Sequence, residues 1–397
     1  MSHEGWRECR LGDLFDNRKE RGRAGLPTLS VTMKDGLVDR DDLDRKQDTA
    51  LSPAEHLLVK PGDIAYNTMR MWQGAFGLSD REGMVSPAYV VLKPRANIDP
   101  AFLAQLLLTP RMRHLLWAYS YGLTDDRLRL YFDDFAAIPV AIPSLEAQQR
   151  MASGISLWDE SAQVLEKLAT NARSEKRALL HRLLPTPTHH ASAGKQSTGW
   201  QLVRLGDVVD LNPRRPEKPD DGRVTFLPME AVSEQGRVDK SRVRQYLDVC
   251  TGHPSFRDGD LLVAKITPCF ENGKGALLAN LTNGVGFGST EFHVLRPKGM
   301  IEPRLIAQVL QSREFRNRGA AEMEGSAGQK RISADFLRSF KFLCPLDKSE
   351  QREICNLLDT ADRVAHMFDL AKGAVLLEKQ ALVQRVMRRQ PTLGEVI

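Results

Sequence analysis

The sequence repeats itself, and the repeat is in register along the chain. WRECRLGDLFD (Trp6 to Asp16) returns as WQLVRLGDVVD (Trp200 to Asp210), KPGDI (Lys60 to Ile64) as RDGDL (Arg257 to Leu261), and AYVVLKP (Ala88 to Pro94) as EFHVLRP (Glu291 to Pro297). IDPAFLAQLL (Ile98 to Leu107) recurs as IEPRLIAQVL (Ile301 to Leu310), and IPSLEAQQR (Ile142 to Arg150) as CPLDKSEQR (Cys344 to Arg352). Five blocks in one order imply two copies of a single module. The offset drifts from 194 to 203, which places insertions between Asp16 and Lys60 and between Asp63 and Ser86. A constant scaffold with diverging loops is expected where loops carry recognition.

Each copy runs into a heptad-like segment. Met151, Ile155, Trp158, Ala162, Leu165, Ala169, Ala172, Leu179 and Leu183 alternate spacings of four and three, interrupted by Lys176. The second series is Ile354, Leu358, Ala361, Ala365, Phe368, Val375, Leu382 and Val386, broken at Lys372 and Lys379. Such stripes mark helices that pair. At 1.5 Å per residue each makes a rod of roughly 55–60 Å, longer than is needed merely to cover a module. The chain leaves the first module on one rod, builds the second, and returns on the other, so the rods are predicted to run antiparallel with pseudo-two-fold symmetry. The expected segments are a first module (1–143), a first helix (144–184), a Pro- and Ser-rich linker (185–199), a second module (200–345), a second helix (346–390) and a tail (391–397).

Within a module the patterning predicts mixed α/β (α+β) structure: a turn and strand over Pro61 to Tyr66, a strand over Ala88 to Leu92, an amphipathic helix over Pro100 to Trp117, and a last strand over Ala136 to Ile142. Hydrophobic content of 42% with 27% charged residues fits a globular chain of 397 residues with more than one core. The N-terminus lacks an apolar signal core and no run approaches a membrane span, so a cytoplasmic address is expected. Five scattered cysteines without a C-x-x-C pair read as free thiols. A net charge of +5 suits a polyanion partner, and its distribution is uneven. Residues 200–345 carry 22 Lys and Arg against 18 Asp and Glu, whereas residues 1–143 carry 19 against 20, so if both modules bind a polyanion the first must do so through a local basic face rather than bulk charge.

Catalytic patterns are not found. The nearest approach to an amino-methyltransferase motif, Asn212-Pro213-Arg214, lacks the second proline. Gly273-Lys274-Gly275 lacks the hydroxyl of a P-loop. GVGFG (Gly284 to Gly288) reads as a turn leading into a strand, and His189 and His190 as solvated linker residues rather than metal ligands. No metal site and no cofactor is expected on this chain.

The paired RLGD openings (Arg10 to Asp13, Arg204 to Asp207), the Gly62-Asp63 and Gly259-Asp260 turns, and above all GSAGQKRISADFLRSFKFLCPLDKSEQREI (Gly325 to Ile354) resemble the specificity subunit of a Type I restriction-modification system. The first copy departs in its distal loop, GLTDDRLRLYFDDF (Gly122 to Phe135), which lacks the Gln-Lys pair. The resemblance implies that each module is a target recognition domain reading one half of a bipartite, asymmetric DNA site, and that the helices are spacers. It also implies a non-catalytic subunit whose partners are double-stranded DNA, two methyltransferase subunits that use S-adenosylmethionine, and restriction subunits that use ATP and Mg.

Base edges are read by Arg, Lys, Asn and Gln in fixed geometry, so the divergent loops supply the candidates. In the first module these are Tyr66, Asn67, Arg70, Trp72 and Gln73 after the Gly-Asp strand, then Arg127 and Arg129 in the distal loop. In the second they are Lys265, Thr267, Asn272 and Lys274, then Gln329, Lys330 and Arg331. Arg111, Arg113, Arg313, Arg316 and Arg318 lie near helix ends and suit either phosphates or local carboxylates. Two other readings fit the same residues: a coiled-coil scaffold or adaptor of a defence complex, and a stand-alone DNA-binding regulator.

Overall fold

The computed structural model describes residues 6–33, 35–43, 51–124, 127–185, 199–326 and 328–387, with side chains through 384. The chain divides into two compact units, Met1–Leu165 with Ala371–Ile397, and Glu166–Leu370. Each unit therefore holds one module together with part of both long helices. No described helix is long and apolar enough to cross a membrane.

In the first unit a four-stranded sheet runs in the order Phe15–Asn17, Tyr89–Pro94, Ile64–Asn67, Phe76–Leu78. Ile64, Tyr66 and Leu92 face a core built with Phe102, Leu106 and Phe135, while Ala65 and Val91 face a smaller cluster with Leu29, Val59 and Val85. The second unit repeats the sheet as Val209–Leu211, Phe292–Pro297, Leu261–Ala264, Gly275–Leu277. The register repeats as well, with Ile64 opposite Leu92 and Leu261 opposite Leu295. A second four-stranded sheet is added there, Arg242–Gln245, Arg223–Leu227, Val285–Gly288, Ser255–Arg257.

The repeated motifs are scaffold. Leu11 and Leu205 are fully buried, and their amides donate to the carbonyls of Ile138 and Phe340. A Cβ on Gly12 would stand 2.8 Å from that of Ala136, so only glycine lets the short helix Phe132–Ala137 seat there. In the Gly-Asp turns Gly62 (φ +88°) and Gly259 (φ +86°) are left-handed, and the following carboxylates accept the amides of Lys60 and Arg257 at 2.8 Å. Each of those aspartates is buried against an arginine from a different place in the sheet: Asp63 meets Arg18, just after the strand Phe15–Asn17, at 2.7 Å, and Asp260 meets Arg296, within the strand Phe292–Pro297, at 2.8 Å. Burial works against the Arg18 charge, yet Asp63 and Glu20 outweigh it and hold its pKa above the ordinary value.

Three local readings are corrected. The segment Pro100 to Trp117 is two helices, Pro100–Leu107 and Pro110–Ala118, because Thr109 caps the second and Pro110 cannot continue the first. Ala136 lies in the helix Phe132–Ala137, and the last strand begins at Pro139. GVGFG lies largely within a strand, Val285–Gly288, where a Cβ on Gly286 would meet the Phe256 ring at 2.2 Å. The five cysteines are free, and burial pushes the thiols of Cys344 and Cys355 up to about 12, which keeps them unreactive.

The long helices span Leu145–Leu183 and Lys348–Met387. A buried glutamine near each start, Gln148 and Gln351, donates to the carbonyl of Pro143 or Pro345 and accepts the amide of Asp99 or Glu302, fastening strand, rod and short helix together. In the first unit Lys379 pairs with Asp159 at 2.6 Å, and in the second Lys176 pairs with Asp362 at 2.7 Å. Late residues of each helix thus meet early residues of the other, which makes the pairing antiparallel. At the repeat offset of 203, Lys176 becomes Lys379 and Asp159 becomes Asp362. Two of the three lysines that interrupt the heptads, Lys176 and Lys379, therefore make equivalent ion pairs inside the helix pair, where a wrong register would leave half-buried charges unpaired.

Seam residues also serve the modules. Met151 packs on the first core and Ile155 is buried, while Ile354 and Leu358 belong to the second core with Leu179 and Leu183 against it. Trp158, Leu165, Phe368 and Val375 are half-buried. Leu382 is a correction: it is 39% exposed, and its neighbour Val383 packs on the first core instead. The side chain of Val386, the linker beyond Pro185 up to Thr198 (with His189 and His190) and the tail lie outside the described residues.

Candidate nucleic-acid interface

The two groups of loop residues in each module, some sixty positions apart in sequence, are joined. In the first module the amide of Leu130 donates to the carbonyl of Thr68 at 2.9 Å, tying the distal hairpin to the segment after the central strand. In the second, Ile332 donates to Lys265 at 2.9 Å, and Thr267 and Lys330 exchange backbone and hydroxyl bonds of 2.9 to 3.0 Å. Each distal hairpin closes on a reciprocal backbone pair, Tyr121 with Arg129 and Glu324 with Arg331. Both need a glycine just inside. A Cβ on Gly122 would meet the Arg127 carbonyl oxygen at 2.6 Å, and one on Gly325 would meet that of Gln329 at 2.6 Å.

Tyr66 is not at this surface. It is fully buried, packs 5.6 Å from the Phe135 ring, and its hydroxyl has no partner among the described residues, because the strand Ile64–Asn67 is covered on both faces and alternation turns this side chain into the main core. Burial raises its pKa. Asn67 accepts the Met69 amide at 3.0 Å and Trp72 donates to the Met69 carbonyl at 3.2 Å, so both shape the turn. Arg70 is exposed and bonds Gln73, whose carbonyl also receives Arg113. Arg127 and Arg129 are exposed on the hairpin.

In the second module Lys265 holds the Thr290 carbonyl at 2.7 Å and Lys274 the Met229 carbonyl at 3.4 Å, while Asn272 bonds Glu234. Burial lowers the Lys265 pKa, with Arg331 acting the same way and Glu291 opposing. Arg331 forms a two-pronged pair with Glu291, the shortest contact 2.8 Å. Gln329 and Lys330 are exposed at the tip, and their side chains make no bond among the described residues. Of the helix-end arginines, Arg318 lies over the Phe340 ring at 5.0 Å and near Glu314, and Arg316 is half-buried.

Sequence reading missed the apolar part of the first surface. Tyr121 is 67% and Leu123 92% exposed, with Met69, Trp117 and Tyr131 also open to solvent. Large apolar groups clustered in a loop mark an interaction face, and their presence in an otherwise polar hairpin was the available signal.

No protein-family model matches the chain. Among curated proteins it is 32% identical over 204 residues to the EcoAI specificity subunit of Escherichia coli and 34% identical over 157 residues to the EcoEI specificity subunit of the same organism. The chain resembles the specificity subunits of type I restriction enzymes. The matches cover 49% and 39% of this chain, but only 34% and 26% of those proteins. A solved structure from a study of complex assembly and conformational transition of the type I R-M system aligns with TM-score 0.56 at 16% identity, over 97% of this chain and 98% of that one. The S subunit from M. genitalium aligns with TM-score 0.55 at 13% identity, over 99% and 98%. These structures show a shared fold across almost the whole chain.

If the hairpin tips read bases, replacing both Gln329 and Lys330 by alanine is expected to weaken specific DNA binding by about 1–3 kcal/mol and to relax sequence preference in one half-site only. Binding to matched and singly altered duplexes at fixed salt measures this. A uniform loss across all duplexes would show phosphate contact instead.

Proposed function

We propose that this chain is the DNA sequence-specificity subunit of a type I restriction-modification complex. The observation behind this reading is that both modules use one scaffold to join two distant loops into a single outward surface, and that those surfaces differ. The first presents Arg70, Arg127 and Arg129 beside exposed apolar groups; the second presents Gln329, Lys330 and the Glu291-held Arg331. Unlike surfaces read unlike half-sites, so the target is bipartite and asymmetric. The helices act as a ruler that sets the half-sites about one helical turn, roughly 34 Å, apart.

The helices also carry a second, outward apolar set. Leu157 and Val164 with Leu377 in the first unit, and Leu357, Val364 and Met367 in the second, are exposed at heptad-like spacings. They suit docking of helices from two methyltransferase subunits. Those subunits would flip an adenine from each half-site and use S-adenosylmethionine, and restriction subunits would use ATP and Mg. Catalysis and cofactors then belong to the partners, and the complex works in the cytoplasm, where the DNA is.

The test is methylome sequencing of cells that express this chain with its methyltransferase, before and after residues 1–143 are exchanged for another such module. One half of the methylated motif should change and the other should remain. An unchanged motif would exclude base reading by the first module and return the chain to a scaffold role.

A further inference from the structure

Within the second compact unit lies a cavity of about 320 Å³ that the DNA-reading role leaves unused. Its walls come from both long helices, the helix Pro303–Gln311, the strands Leu261–Ala264 and Gly275–Leu277, and the Gly273-Lys274 turn. Cations outnumber carboxylates in its lining. Asp359 is taken by Arg304 at 3.0 Å and Asp362 by Lys176 at 2.7 Å. Among the described residues Arg237 pairs with Asp369 alone, at 3.8 Å, and Arg173 already holds that carboxylate. Arg316 makes no ion pair among the described residues, and Arg363 bonds only the Thr360 hydroxyl. Of the six cations that line the cavity, Lys274, Arg316 and Arg363 therefore have no carboxylate in ion-pair contact among the described residues.

Polar atoms on these walls also lack hydrogen-bond partners among the described residues. Gln308 is 6% exposed and its Oε1 has no partner, although its amide nitrogen reaches Asp359 and Asp362 at 3.3 Å. Arg237 Nε and His366 Nδ1 are buried without partners on the same walls. Buried polar atoms are nearly always paired, so three around one cavity point to a ligand that offers both donors and acceptors. Phe270, Phe315, Leu261 and Leu310 supply an apolar wall. The scaffold does not require these charges: at the repeat offset Arg304, Asp359, Arg363 and His366 are Ala101, Ser156, Glu160 and Gln163 in the first copy.

We propose that this cavity binds a small organic phosphate of nucleoside monophosphate size. Guanidinium groups on separate elements suit a dianionic phosphate better than a single carboxylate. The apolar wall takes the body of the ligand, and Gln308 Oε1 accepts from a donor on its edge. The volume lies within the range of small-molecule sites. Burial lowers the pKa of Arg316, with Arg177 adding to that effect and Glu234 opposing it; a bound phosphate would reverse it.

The experiment is thermal denaturation and calorimetry of the full chain with AMP, GMP, CMP and UMP, with adenosine and inorganic phosphate as separate arms. At least one mononucleotide should raise the unfolding midpoint by about 5 °C at a concentration about 100 times its Kd. Arg316→Gln and Gln308→Leu should each weaken binding about tenfold. Arg316→Lys, which keeps the charge, should retain part of the affinity and controls for misfolding. Lys330→Ala, on the DNA-facing tip, should bind the mononucleotide as the parent does. No response to any mononucleotide, an equal response to phosphate alone, or unchanged binding in Arg316→Gln and Gln308→Leu overturns the proposal. The outcome is independent of the methylome test, so either reading can fail alone.

Discussion

Asp63→Ala is expected to destabilise the first module by about 3–5 kcal/mol. The substitution removes the carboxylate from an ion pair whose side chains are only 6% and 3% exposed, and leaves the Arg18 guanidinium buried with Glu20 alone. Removing one partner of a buried pair is far more damaging than the pair is stabilising, because the remaining charge has lost its water. The Lys60 amide loses its acceptor at the same time, so the turn that launches the central strand is undone as well. Asp63→Asn, which still accepts that amide, should lose less. Four of the five tryptophans, Trp6, Trp72, Trp117 and Trp158, lie in the first unit, so urea unfolding followed by fluorescence reports on it directly. A loss below about 1 kcal/mol would mean that Arg18 finds water or Glu20 at little cost.

Acidification should loosen the second module through His293. This ring is 5% exposed, with Nε2 against the Ile332 carbonyl at 3.1 Å and Nδ1 facing the amide nitrogen of Asn212 at 3.4 Å. Asn212 is held in that orientation because its oxygen accepts the Val294 amide. A proton on Nδ1 would therefore meet another donor. Burial, together with Lys265 and Arg338, lowers the pKa from 6.5 to about 4, against the opposing Ile332 carbonyl and Glu291. The unfolded chain takes up a proton below pH 6.5 that the folded chain refuses until about pH 4. Stability is thus complete above pH 6.5, falls as pH drops, and is lower by about 3 kcal/mol once both states are protonated. His293→Gln should flatten that part of the profile, so that parent and variant diverge by about 2 kcal/mol between pH 6.5 and 5. Parallel denaturation curves would show that the ring titrates normally.

Legibility of the candidate surface followed the range of the interactions that build it. Arg127, Arg129, Gln329 and Lys330 are legible as exposed donors because they are base-reading residue types in loops that diverge between the two copies. Tyr66 was misread, since a tyrosine at a strand end looks the same whether the strand has one open face or two covered ones; only the clusters on both sides of Ile64–Asn67 decide it. Lys265 and Lys274 looked like free cations, and their carbonyl partners, Thr290 and Met229, come from segments whose approach no local pattern records.

The sequence alone determined the duplicated module and the two long helices, because a repeat and a heptad stripe are periodic signals carried by residues close along the chain. The Lys176 and Lys379 interruptions were visible there too, but as flaws. Tertiary structure decided that they are paired with Asp362 and Asp159, equivalent under the same repeat, because an ion pair between residues about 200 positions apart exists only once the helices lie side by side. It decided equally that the loop after the Gly-Asp strand and the distal hairpin form one surface, since their joining bonds depend on sheet and helix packing rather than on either loop's own residues.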